Sequence, residues 1–106
     1  MSPVNYSSDR LSRNEARKLI RIILAKHPEN LWFSKHALDE LCNDGLSTVD
    51  SFNLLKSPDS RIYDEGEFCK GTYRYRLETT NIVIVVIFSA DGKNITVITA
   101  WDKRNK

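Results

Sequence analysis

The sequence predicts an α+β domain in which two to three N-terminal helices pack on a three- to four-stranded antiparallel sheet. Apolar residues recur at helical spacing through the first half of the chain, whereas the second half alternates or runs apolar as strands do. A length of 106 residues, 41% of them hydrophobic and 28% charged, suits one core and leaves no room for a second. The layout is a single domain over residues 1–106, with a loose lead over 1–10, a helical part over 11–57 and the sheet over 60–103.

Ser12-Arg13-Asn14-Glu15 has the capping-box form, in which the serine and glutamate side chains satisfy backbone donors at a helix start. Ala16, Leu19, Ile20, Ile23 and Leu24 then share one helical face, and Pro28 stops the helix at His27. His27 itself suits the terminal carbonyls of that helix. Ser34 is placed to cap a second helix carrying Ala37, Leu38, Leu41 and Cys42, with Gly45 to end it. Ser47-Thr48-Val49-Asp50 opens a third, short helix to about Lys56, broken at Ser57-Pro58-Asp59.

Arg61-Ile62-Tyr63 is the first strand candidate. Over residues 72–78 the chain alternates, Tyr73, Tyr75 and Leu77 facing one way and Arg74, Arg76 and Glu78 the other. Ile82 to Phe88 is apolar on both faces, as a central strand covered on both sides should be. Asp91-Gly92 marks a hairpin, and residues 94–101 form the return strand.

Composition excludes several function classes. The longest apolar run, Ile82 to Phe88, is far short of a membrane span, and the first residues carry no apolar signal-peptide stretch. Cys42 and Cys69 sit in no metal-type or redox-type spacing, so a reduced, cytoplasmic protein without membrane association is expected. There is no glycine-rich phosphate loop, no metal-ligand constellation and no serine-nucleophile motif, so neither a metal nor a cofactor is expected. The formal net charge is only +2, but basic ends flank an acidic middle, which sets up one positive face for a phosphate-bearing partner.

Arg74 and Arg76 are the first candidates for chemistry. On a strand they share a face about 6.5–7 Å apart, a spacing that suits successive phosphates, and arginine grips phosphate in a two-pronged fork. The alternative is an exposed face with both arginines paired to Glu78 or Glu65. Tyr75 and Trp101 offer rings for stacking on bases, or belong to the core. His36, in the first turn of the second helix, can take a proton from a ribose 2′-hydroxyl or return one, or is a plain surface histidine. Arg13, Arg17 and Arg21 recur every four residues and make a basic stripe that either follows an RNA backbone or is simply the solvated side of a helix.

Tyr73-Arg74-Tyr75-Arg76-Leu77, followed by an apolar strand, a turn, a last strand and Trp101-Asp102-Lys103, resembles the second half of the MqsR (motility quorum-sensing regulator) toxins. Phe33-Ser34-Lys35-His36-Ala37, then an acidic helix and Gly45-Leu46-Ser47, resembles a related bacterial family with a Ser-x-His-Ala opening. Together the two similarities cover about residues 33–103. The resemblance implies a barnase/RelE-like fold and a metal-independent endoribonuclease of toxin–antitoxin or effector type. Arg74 and Arg76 would hold the scissile phosphate, and Lys103 would match the lysine that ends the final strand of those toxins; Lys35, Lys70, Tyr75 and Trp101 are further candidates for RNA contact. Lys70 stands near where MqsR toxins carry a glutamine, and Val83 falls where they carry a tyrosine. The histidine-bearing relatives are therefore the closer guide, with His36 as acid or base and Thr99 as a positioning hydroxyl. RNA, and a cognate antitoxin or immunity protein, are the implied partners. A non-catalytic protein-binding inhibitor or adaptor on the same scaffold, or RNA binding without cleavage, are the rival expectations.

Overall fold

The computed structural model describes residues 5–57, 61–62, 66–79 and 81–103. The break at Pro58-Asp59, Tyr63 of the expected first strand, Glu65 as an arginine partner and the tail from residue 104 lie outside the described residues. Helix α1 (Arg13–Lys26) opens on both halves of its capping box: the Glu15 amide donates to Ser12 Oγ at 3.2 Å, and the Ser12 amide donates to Glu15 Oε1 at 3.3 Å. Its buried face is Ala16, Ile20, Ile23 and Leu24, and it ends at His27, whose amide donates to the Ile23 carbonyl. Helix α2 (Lys35–Asn43) takes Ser34 as its cap and closes on Gly45 at a φ of +71°. There the Leu46 amide donates to the Leu41 carbonyl and the Gly45 amide to that of Cys42, so a left-handed residue satisfies two orphan carbonyls. Helix α3 (Thr48–Lys56) has its own capping box, Ser47 with Asp50.

The strands are β1 (Leu31–Phe33), β2 (Arg61–Ile62), β3 (Glu67–Cys69), β4 (Thr72–Glu78), β5 (Ile82–Phe88) and β6 (Ile95–Asp102). They form one mixed sheet in the order β1-β6-β5-β4-β2, with β3 also on β4. This corrects the expected three to four antiparallel strands. β1 runs parallel to β6, pairing Leu31 with Ile95 and Phe33 with Val97, and three residues are too few for an alternation to announce.

Strand parity divides the sheet into two unlike faces. Tyr75, Leu77, Ile84, Val86, Phe88, Ile95, Val97 and Ala100 join the buried residues of all three helices in one core. The other face carries Arg74, Arg76, Val85, Ile87, Thr99 and Trp101, none of them in that cluster. Here Val83 is fully buried, whereas Val85 and Ile87 are only half-buried, so the second face of the central strand β5 is covered at one end and open toward the other. Val85 and Ile87 floor the hollows described below.

Where it is described, the lead segment is hydrogen-bonded to the sheet. The Tyr6 amide donates to the Ala90 carbonyl at 3.0 Å, the Tyr73 amide donates to the Ser7 carbonyl at 2.8 Å, and the Leu11 amide donates to the Tyr75 hydroxyl at 2.9 Å. The ladder between β4 and β5 stops at Tyr75–Val86, and the segment fills the gap beyond it.

Candidate functional site

β1 ends at Phe33, and from there α2 takes over the outer edge of β6. The Ser34 amide donates to the Val97 carbonyl at 2.9 Å, the Ser34 hydroxyl to that of Ile98 at 3.1 Å, and the Asp102 amide to Asp44 Oδ2 at 2.7 Å. An edge that would otherwise offer unpaired groups is thereby covered. The same placement sets His36 and Glu40, one helical turn apart, against Thr99. His36 Nε2 contacts Glu40 Oε1, and the Thr99 hydroxyl donates to that same oxygen at 2.6 Å. An ionised carboxylate only accepts, so Nε2 carries the proton and Nδ1 is the ring nitrogen left to accept one.

A β-bulge aims the partner residues. Val85 pairs with Thr99 but Val86 pairs with Val97, so Ile98 is the extra residue, and both Ile98 and Thr99 line the site. Opposite them is the β3–β4 hairpin, whose two-residue turn places Lys70 at a φ of +52° and Gly71 at +81°. Both left-handed residues match the turn that a tight, right-twisted hairpin requires. The result is a cleft of about 450 Å³ lined by His36, Thr99, Lys70 and Arg74, with Cys69, Thr72, Ile87 and Ile98. The Arg74 Nε is buried without a hydrogen-bond partner among the described residues. A second hollow of about 250 Å³, lined by Glu67, Arg74, Arg76, Val85, Thr99 and Trp101, adjoins the first through Arg74 and Thr99.

The two arginines differ in circumstance. Arg76 lines only the second hollow, with its Cζ 5.3 Å from the Trp101 ring centroid and its Nε 3.6 Å from Glu78 Oε2. Glu78 also takes Lys103 Nζ at 3.4 Å. Arg74 therefore stands in the His36 cleft, and Arg76 stands one compartment away, held by a carboxylate and a ring. Lys35 is exposed beside His36, and neither it nor Lys103 lines the two hollows.

One expectation about RNA contacts is corrected, and another falls outside the cleft. Tyr75 is 0% exposed, its ring packs on Phe88 and burial pushes its phenol up, so it has no face for a base. The Arg13, Arg17 and Arg21 stripe belongs to α1, which packs across the sheet from the cleft, where Arg13 and Arg17 line a separate hollow with Arg61. Burial and the neighbouring Arg21 hold the Arg17 guanidinium below its ordinary value. Sequence reasoning missed Glu40 as a functional residue, although its place four residues after His36 signalled a shared helical face. For Cys69, Thr72, Ile87 and Ile98 there was no such signal, because only the turn and the bulge bring them together.

Lysine in a left-handed turn position is strained by about 1 kcal/mol, whereas asparagine adopts that conformation readily. Lys70→Asn is therefore expected to raise the unfolding free energy by about 0.5 kcal/mol in urea titration. A urea midpoint no higher than that of the wild type would mean that the turn carries no such strain.

Among the described residues no group of three or more His, Cys, Asp or Glu side chains could hold a metal ion, and no helix is long and apolar enough to cross a membrane. No family model, curated protein or solved structure matches the chain.

Proposed function

We propose that the chain is a metal-independent endoribonuclease of the toxin kind, cleaving RNA by attack of a ribose 2′-hydroxyl on the adjacent phosphorus. The observation that carries the reading is the shared cleft of His36, Lys70 and Arg74, in which a carboxylate-anchored imidazole faces two cations. The resemblance of residues 33–103 to the MqsR toxins and their histidine-bearing relatives supports it.

In this mechanism His36 Nδ1 takes the 2′-hydroxyl proton while the 2′-oxygen forms its bond to phosphorus. The bond to the 5′-oxygen breaks, that oxygen leaves with a proton from solvent, and the other product ends in a 2′,3′-cyclic phosphate. Arg74 and Lys70 stand where charge grows on the phosphoryl oxygens, and fixed cations aimed at developing charge supply a large share of such rate gains. Arg76, stacked at Trp101, serves the base of the nucleotide whose 2′-hydroxyl attacks.

Induction in a bacterial host is expected to arrest growth and fragment RNA, with 2′,3′-cyclic phosphate ends on the fragments. Intact RNA with growth unaffected would leave the non-catalytic protein-binding reading. Intact RNA that the purified protein nevertheless binds, with salt-sensitive affinity, would leave RNA binding without cleavage.

A further inference from the structure

We infer that Thr99 reads the ribose 2′-hydroxyl, making the cleft selective for ribonucleotides over their deoxy counterparts; the inference rests on the nuclease reading above. A threonine hydroxyl has one proton and two acceptor positions. Thr99 commits its proton to Glu40 Oε1 at 2.6 Å, and Glu40, already accepting from His36, has no proton to give back. What Thr99 Oγ1 retains is acceptor capacity alone. A phosphate oxygen set against it would place acceptor against acceptor, whereas a ligand hydroxyl would find the partner it needs.

Position points the same way. Thr99 lines both hollows, at the bulge between the Lys70–Arg74 side and the Arg76–Trp101 side. A nucleotide with its phosphate among the first pair and its base near the second carries its sugar past Thr99. The 2′-hydroxyl is the donor that RNA has and DNA lacks; in the bound ground state its one proton rests on Thr99 Oγ1, and it turns to His36 Nδ1 only as the 2′-oxygen moves onto phosphorus. Glu40 acts here as a positioning residue, since it turns the threonine proton away from the ligand.

The test is calorimetric titration of the whole chain with the four ribonucleoside 3′-monophosphates, their 2′-deoxy forms and inorganic phosphate, none of which can be cleaved by this route. One neutral hydrogen bond predicts a ribo preference of about three- to tenfold. Thr99→Val, nearly equal in shape, is expected to bring that ratio to about one while inorganic phosphate affinity holds, and Thr99→Ser to preserve it. Equal binding of ribo and deoxy forms by the wild type, or a preference that survives in Thr99→Val, overturns the inference and leaves the nuclease reading standing. Failure of every nucleotide and of phosphate to bind overturns both.

Discussion

Replacing His36 with alanine is expected to lower RNA cleavage by about 10²–10⁴-fold, the usual worth of one positioned acid–base group. The fold should be untouched, because the His36 side chain is 70% exposed and its partner Glu40 keeps the Thr99 hydroxyl as a donor. Circular dichroism and the urea midpoint should match the wild type. Arg74→Ala is expected to cost about 10²–10³-fold, comparable to removing one fixed donor from developing charge. Arg76→Ala should cost less, since its guanidinium is engaged by Glu78 and Trp101 outside the His36 cleft. Wild-type turnover in the His36 variant would end the mechanism, and an Arg76 effect larger than that of Arg74 would move the scissile phosphate to the second hollow.

Tyr75→Ala is expected to destabilise the domain by about 3–5 kcal/mol, the range for deleting a buried aromatic ring. Three separate features converge on this side chain. Its ring lies 5.4 Å from that of Phe88, its hydroxyl accepts from the Leu11 amide, and Gly66, at a φ of +94°, passes so close that an added Cβ would sit 3.0 Å from it. Tyr75→Phe isolates the hydroxyl and should cost about 1–2 kcal/mol, because the Leu11 amide is left without its acceptor. Chemical denaturation of the two variants separates ring from hydroxyl. A loss under about 1 kcal/mol for Tyr75→Ala would mean that the ring is not part of the core.

The local chemistry of the helices was legible residue by residue. Ser12 with Glu15, Ser34, and Ser47 with Asp50 each cap a helix from within a few positions of sequence, and the caps act on backbone donors equally close by. The alternation of β4 was legible too, because strand parity alone puts Arg74 and Arg76 on the side opposite Tyr75 and Leu77. What parity cannot say is which side meets the helices. For that reason one tyrosine could be taken for a base-stacking platform while in fact anchoring the lead segment through Leu11.

Sequence by itself determined the α+β class, the helix starts and the division of β4 into a basic and an apolar face, since caps and periodicities act over a few residues. Tertiary structure alone decided that β1 pairs in parallel with β6, that α2 covers the β6 edge, and that His36, Lys70, Arg74 and Thr99 share a cleft while the α1 arginines lie across the sheet. Those outcomes depend on contacts between residues tens of positions apart, where register, a single bulge and a two-residue turn set the aim of a side chain and no local pattern records it.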